Sequence, residues 1–304
     1  MPPSASNPRR QSAGSDIVRF YLVAYNFASF FGWTLVLFSL IKHLAVGPQT
    51  PTAVHRLAEF ALRRLRPLRL LYLPTFAKDL PAPVVLFLHR ASTSQQSIGG
   101  LVSFVQSFAI LEVVHAALGL VRSPVPTTAT QVASRLFSVW AVAERYPSAS
   151  TSPWYAPMVL AWSVTECVRY PFYAQQLLKQ DSPLLLWARY SLFYVLYPLG
   201  AISEAMLIKT TLPNSWPWQK PGQWDLRASI YGGLFLFWWY GLYIMYTYMI
   251  KQRKKALGTG FFGSSPEARQ AQKKIKEAPA SVAASTSAAV SSVQIKAQEA
   301  TKRK

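Results

Sequence analysis

The stretch Ile230-Tyr-Gly-Gly-Leu-Phe-Leu-Phe-Trp-Trp-Tyr-Gly-Leu-Tyr-Ile-Met-Tyr-Thr-Tyr-Met-Ile250 contains no charged residue. As a helix it is about 30 Å long, the thickness of a bilayer's hydrocarbon core, which takes roughly 20 apolar residues to cross. Lys251-Gln-Arg-Lys-Lys255 follows at once, the basic flank expected on the cytosolic side of a span. This segment reads as a transmembrane helix and sets the standard for the rest of the chain.

Five further stretches meet it in length: Ile17–Ile41, with the aromatic core Phe27-Ala-Ser-Phe-Phe-Gly-Trp33, then Leu101–Val121, Thr128–Tyr146, Trp154–Leu178 and Pro183–Ile208. The expected fold is an all-α integral membrane protein, a bundle of six transmembrane helices within residues 17–250. The first apolar run exceeds a signal-peptide core and reads as a permanent anchor. Residues 1–16 are polar and expected to be disordered. Residues 251–304, basic and then Ala/Ser/Val-rich from Ala278 to Val293, are expected to form a disordered tail.

Composition agrees. Of 304 residues 51% are apolar and 14% charged, against about 25% charge in a soluble domain, which excludes a largely disordered chain. One cysteine, Cys167, excludes an internal disulfide framework and a cysteine zinc cluster. It also excludes a Cys-x5-Arg phosphate loop, because Tyr173 stands where the arginine would be. Four scattered histidines offer no metal-ligand set, and no nucleotide motif is present, so no cofactor is expected. The net charge of +20 flanks membrane segments and carries no nucleic-acid recognition motif, so a nucleic-acid partner is excluded.

Much of the basic charge lies in 42–100, with Lys42, Arg56, Arg63, Arg64, Arg66, Arg69, Lys78 and Arg90. Within it Val54–Leu65 alternates apolar and basic residues at helical spacing. This fits either an amphipathic helix lying on anionic lipid or a solvated basic loop. The cluster after Ile250 places the C-terminus in the cytosol, and six spans place the N-terminus there too. The basic 42–100 segment would then face the lumen, against the charge rule.

Ionisable residues inside spans cost about 2.5–3.5 kcal/mol each on insertion scales and are functional candidates for that reason. Glu112 and His115 are three apart on one face of the second span, a pair that could hold helices together. Gln131 and Arg135 stand in the third. Glu166, Arg169 and Tyr170 share a face of the fourth, and Glu166–Arg169 is most simply an intrahelical ion pair. Arg189 and Arg122 lie near span ends, where they can snorkel; His43, His55 and His89 fall in loops.

The fifth span carries Tyr190, Tyr194, Tyr197 and Glu204 at offsets 0, 4, 7 and 14, one stripe along a helix. Tyr197 and Glu204 are about 10 Å apart along the axis, too far to touch but placed to flank a substrate. Pro198 removes a backbone N–H and crowds the Tyr194 carbonyl, which predicts a kink there. Gly200 allows a close approach. Glu166 and Tyr173, also seven apart with Pro171 between them, form a second such pair, and spacing does not choose between the two.

These residues resemble the very-long-chain 3-hydroxyacyl-CoA dehydratases, also called protein-tyrosine-phosphatase-like proteins. The resemblance rests on Tyr21-Leu-Val-Ala-Tyr-Asn26 with Gly32-Trp33, Leu111-Glu-Val-Val-His115 followed by Gly119-Leu-Val-Arg-Ser-Pro124, and Gln131-Val-Ala-Ser-Arg135. It continues through Trp162-Ser-Val-Thr-Glu166 with Arg169-Tyr170 and Tyr173, and ends with Arg189-Tyr190, Phe193-Tyr-Val-Leu-Tyr-Pro-Leu-Gly200 and Ser203-Glu204. The resemblance implies a six-span enzyme of the endoplasmic reticulum membrane that dehydrates (3R)-3-hydroxyacyl-CoA to trans-2-enoyl-CoA during fatty-acid elongation. It implies contact with other elongation enzymes and with membrane lipid, and a catalytic pair Tyr197 and Glu204.

The residue types suit the chemistry. β-Elimination needs a base for the Cα proton and an acid for the departing hydroxyl. A carboxylate removed from water is a stronger base, and a phenol is a neutral donor that tolerates apolar surroundings. Glu204 reads as base and Tyr197 as acid, with the reverse open. A donor for the thioester enolate would come from Arg135, Arg169 or Tyr190; Glu166, Glu112 and His115 complete the supporting set. Two other classes compete: a transporter or channel lined by these groups, and a non-catalytic scaffold for elongation enzymes.

Overall fold

The computed structural model describes residues 8–47, 81–121, 123–180 and 182–258. Among them every regular element is a helix. In chain order these are α1 (Pro8–Val46), α2 (Ala82–Ser107), α3 (Ile110–Ala117), α4 (Val125–Leu136), a π-helix (Phe137–Ala143), the short α5 (Pro147–Ser150), α6 (Tyr155–Leu177), α7 (Pro183–Ser191), α8 (Phe193–Lys209) and α9 (Leu226–Leu257).

α6 is the hub, packed against α1, α2, α7 and α8. Its buried Ala156, Ala161, Ser163 and Ala174 let neighbouring backbones come close. Large side chains then fill the centre: Trp33, Val36 and Leu40 from α1, Leu101 from α2, Met158 and Val159 from α6, and Leu207 and Ile208 from α8. On the other side of α1, Phe20, Phe27, Phe31 and Phe38 are exposed. Their spacing of 7, 4 and 7 is one helical face, which a bilayer would cover. Gly32 sets the α1–α2 approach, since a Cβ there would stand 3.2 Å from both Val105 methyls.

Three helical stretches are long and apolar enough to cross a membrane, Asp16–Val46, Ala82–Ala117 and Leu226–Leu257. The pair α7 and α8, bent by 41°, makes a fourth if it is one span. The third and fourth expected spans are helical as well, but Arg135, Glu166 and Arg169 lower their apolar character. By this measure the described residues form an all-helical membrane protein with three or four spans, where the sequence pattern predicts six.

The second stretch starts at Ala82, well before the expected Leu101 and inside the segment read as a loop. The reason is where its polar residues point: Ser92, Ser94 and Gln95 are buried in the bundle, so hydropathy understates the helix. His43 and Arg90, assigned to loops from the sequence, lie on α1 and α2 and bind the two together. The Arg90 guanidinium donates to the carbonyls of Leu44 (3.0 Å) and Ala45 (2.5 Å), and His43 Nε2 lies 2.9 Å from the Arg90 carbonyl. A cation on the last carbonyls of a helix satisfies groups that have no partner within it. His89 is likewise on α2. α1 begins at Pro8, within the stretch expected to be disordered, because extending an existing helix costs far less than starting one. The amphipathic stretch 54–65, His55, Arg122 and the tail beyond 258 lie outside the described residues.

The fifth span bends at Leu192, between α7 and α8, six positions before Pro198, which lies inside α8. Tyr190 is thereby separated from Tyr194, Tyr197 and Glu204, and the single stripe is broken in two. Pro198 has no N–H to give the Tyr194 carbonyl. The Tyr246 hydroxyl of α9 donates to that carbonyl at 3.4 Å, and α8 continues through Pro198 from Phe193 to Lys209.

Candidate active site

Two of the buried polar centres among the described residues involve α6. The first is a chain of four charges. Arg169 forks onto Glu112 of α3, Nη1 to Oε2 at 2.8 Å and Nη2 to Oε1 at 2.6 Å, while its Nε donates to Glu166 Oε2 at 2.6 Å. The other oxygen of Glu166 accepts from Arg135 Nη1 of α4. Tyr170 donates to Glu112 Oε1 at 2.6 Å. Two acids and two arginines close on one another, so the centre is neutral. This is the condition under which buried charge is tolerable. It ties α3, α4 and α6 together. The expected Glu166–Arg169 pair is present as one link of this longer chain.

The expected pairing of Glu112 with His115 is absent, because the Arg169 fork takes both carboxylate oxygens. His115 Nε2 lies 2.9 Å from the Tyr21 hydroxyl, and its ring meets Tyr21 and Tyr25 edge-on, centroids 5.4 and 4.9 Å apart. Its position is fixed by how α3 ends. Gly119, at φ +69°, lets the Gly119 and Leu120 N–H groups reach back to the Ala116 and His115 carbonyls at 3.1 and 2.9 Å. This left-handed stop requires glycine's freedom. His115 thus holds α3 to α1.

The second centre is Glu204 on α8. Trp162 Nε1 of α6 donates to Oε1 at 2.7 Å, and Trp238 Nε1 of α9 donates to Oε2 at 3.0 Å. Each oxygen therefore has one neutral indole donor, and no salt bridge to Glu204 occurs among the described residues. Such an arrangement holds a carboxylate in a fixed orientation and leaves its remaining lone pairs for a reacting proton. Gly200 brings α6 near: a Cβ there would lie 3.5 Å from that of Ala161 and 3.8 Å from Trp162 Nε1, ordinary contacts. One turn later Glu204 meets that same indole.

Tyr197 stands two turns before Glu204 on α8, half-buried. No hydrogen bond to the phenol occurs among the described residues. Glu166 and Tyr173, the alternative pair, are otherwise engaged: Glu166 by two arginines, Tyr173 by Arg189 Nη2 at 3.4 Å. Tyr190 packs edge-on against Phe172, 6.3 Å between centroids, apart from both centres. Arg135 joins them. Its guanidinium lies 4.5 Å from the centroid of Trp162, the ring that holds Glu204, and 5.3 Å from that of Trp33.

Sequence reasoning missed Trp162 and Trp238 as holders of the carboxylate. Trp162 sits four residues before Glu166 and was visible only as part of a motif. Trp238 is one of many aromatics in α9, where Leu236, Phe237 and Tyr240 are exposed and nothing in the pattern marks it. Glu144 was missed as well. It is buried after the π-helix, accepting from Gln95 Nε2 at 2.9 Å and Ser103 Oγ at 2.8 Å.

Known proteins resemble this chain along most of its length. The sequence profile described as "Protein tyrosine phosphatase-like protein, PTPLA" matches residues 106–259, which include α4, α6 and α8. The very-long-chain (3R)-3-hydroxyacyl-CoA dehydratase hpo-8 of Caenorhabditis elegans is 35% identical over 254 residues, 80% of this chain and 97% of that protein. A probable very-long-chain (3R)-3-hydroxyacyl-CoA dehydratase of Schizosaccharomyces pombe is 44% identical over 160 residues, 51% of this chain and 73% of the relative. The rice dehydratase PASTICCINO 2A is 33% identical over 255 residues, 80% and 96% of the two chains. No solved structure matches. The extent of these matches, and the two charged helices they include, place the chain in the protein tyrosine phosphatase-like (PTPLA) family.

Proposed function

We propose that this protein removes water from a very-long-chain (3R)-3-hydroxyacyl-CoA to give the trans-2-enoyl-CoA, the dehydration step of fatty-acid elongation. Relatives that bear this activity in their names align with nearly their whole length. The observation that carries the site assignment is the state of Glu204: held by two indole N–H groups, with no cation on it, on the same helix as an uncommitted phenol.

In this reading Glu204 takes the Cα proton, and the C–H electron pair moves onto the thioester oxygen. The pair then returns to form the Cα–Cβ double bond as the Cβ–O bond breaks. The leaving oxygen takes the Tyr197 proton and departs as water. Passage of the proton from Glu204 to Tyr197 through solvent restores both groups. The roughly 10 Å between them along the helix leaves room for the acyl carbons to lie between acid and base.

Six spans remain the reading that suits this bundle. α4 with the π-helix has 12 and 7 residues, and α6 has 23, enough to cross about 30 Å of hydrocarbon. Their charged residues, Arg135 in one and Glu166 and Arg169 in the other, are neutralised within the network. Six spans and the basic cluster at 251–255 would put both termini in the cytosol, and an endoplasmic reticulum location is what the resemblance to the dehydratases implies. Lipid then surrounds the bundle, and the elongation enzymes before and after this step are the expected neighbours.

The test is direct. Purified protein in detergent is given a long-chain 3-hydroxyacyl-CoA, and the conjugated enoyl product is followed in wild type, Tyr197→Phe and Glu204→Gln. Product from wild type and loss in both variants is expected. Full activity in either variant overturns the site assignment. No product from wild type, together with solute flux in proteoliposomes, favours a transporter.

A further inference from the structure

Among the described residues Arg135 is the arginine of the charge chain that has nitrogens without a hydrogen-bond partner. Arg169 commits Nε, Nη1 and Nη2 to two carboxylates. Arg135 commits only Nη1, to Glu166, while its Nε and Nη2 are buried without a partner. Those two N–H groups form one edge of the planar guanidinium, a pair of parallel donors in fixed geometry. Buried donors left unpaired are destabilising, and a site for a ligand's acceptor atom is a reason for them to persist.

The surroundings favour an oxygen that acquires negative charge. Trp33 and Trp162 hold the guanidinium against their rings, fixing its plane and excluding water. The Trp162 indole is also the donor to Glu204 Oε1, so only one ring separates Arg135 from the base. Immediately beyond Arg135 the helix widens into the π-segment Phe137–Ala143, a distortion found frequently at functional sites. Of the other donors considered for an enolate, Arg169 has a carboxylate on each of its three nitrogens, and Tyr190 packs edge-on against Phe172.

We propose that the free edge of Arg135 binds the thioester oxygen of the substrate and stabilises its enolate while Glu204 removes the adjacent proton. The inference rests on the Tyr197–Glu204 reading above and adds the third group that reading needs. As the C–H pair moves onto the thioester oxygen, Nε–H and Nη2–H converge on that oxygen; as the pair returns to form the double bond, they release it. Arg135 neither gains nor loses a proton.

The alternative is that Arg135 only neutralises Glu166, and a pair of variants separates the two roles. Arg135→Gln is expected to lower kcat by about 100- to 1,000-fold, the loss typical of one oxyanion donor, with a smaller change in KM. Arg135→Gln/Glu166→Gln removes both charges; it is expected to recover thermal stability in detergent while its kcat stays as low as that of the single variant. Arg135→Lys keeps a charge for Glu166 but loses the two-donor edge; it is expected to fold and to lose at least tenfold in kcat, and it carries the test if Arg135→Gln fails to accumulate. A double variant that regains activity, or any of the three within threefold of wild type, overturns the proposal. Glu204→Gln run alongside keeps the readings apart. If it is inactive and the Arg135 variants are active, only the role of Arg135 falls; if it is active, the underlying site assignment has failed first.

Discussion

Two carboxylates face each other's helices in this bundle and are treated in opposite ways. Glu166 on α6 is given two arginines, one for each oxygen. Glu204 on α8 is given two tryptophans, also one for each oxygen. Each has a tyrosine seven positions away and a proline between, so local sequence does not tell them apart. The partners do. A carboxylate locked between two guanidinium groups is a structural anion, because taking a proton would undo two charge-assisted bonds. One held by neutral N–H groups is equally well oriented, and no ion pair opposes its protonation. The comparison therefore separates a joint from a site of chemistry.

The sharpest way to break it is to disturb each centre and ask what is lost. Arg169→Met strips Glu112 of its fork and Glu166 of one partner. Leaving a buried charge uncompensated costs about 3–5 kcal/mol, so this variant should fail to accumulate or should melt far below wild type in detergent. If it melts like wild type, the charge chain is not the joint described. Glu204→Gln is the counterpart. Its effect should appear as activity reduced by about 10²- to 10⁴-fold, the usual contribution of a positioned acid or base, with a smaller loss of stability of about 1–3 kcal/mol, because the amide NH2 leaves one indole N–H without an acceptor.

A smaller effect tests the tryptophans. Trp162→Phe or Trp238→Phe keeps an aromatic ring and removes one N–H from the carboxylate. A hydrogen bond to a charged group is worth about 1.5–3 kcal/mol, so each should lower kcat/KM by roughly 10- to 100-fold. If the donors matter only as packing, phenylalanine will leave kcat/KM unchanged. The two differ in one respect: Trp162 also stacks on Arg135, so its loss should be the larger.

Of these two centres, the sequence shows the acids and the arginines and hides the connections. Glu112, Arg135, Glu166, Arg169 and Glu204 stand out because each is costly in a bilayer, and cost is a property of a residue in its own segment. Which partner each takes depends on how α3, α4 and α8 dock on α6, and spacing within one helix says nothing about that. Glu112 and His115 share a face and yet turn to different neighbours. Spans fared by the same rule. α9 is uncharged from Ile230 to Ile250 and legible at once, whereas α2 buries its Ser and Gln against other helices and looks like a loop until those helices are in place. The break at Leu192 has no marker of its own, and the visible marker, Pro198, does not break the helix.

Pro198 also supplies the smallest and most specific test. A proline inside α8 leaves the Tyr194 carbonyl without its helical donor, and the Tyr246 hydroxyl reaches it from α9. At 3.4 Å this is a weak bond, and side-chain hydrogen bonds between membrane helices average only about 0.6 kcal/mol. Tyr246→Phe alone should therefore lower stability by about that amount. Pro198→Ala restores an N–H in α8 that can serve Tyr194 from within the helix. In that background the hydroxyl has less to do, and Tyr246→Phe should cost little. The difference between the two costs is a double-mutant coupling. Equal costs in both backgrounds would mean that Tyr246 contributes through its ring contacts with Phe193 and Tyr194, and that α8 accommodates its proline without help from α9.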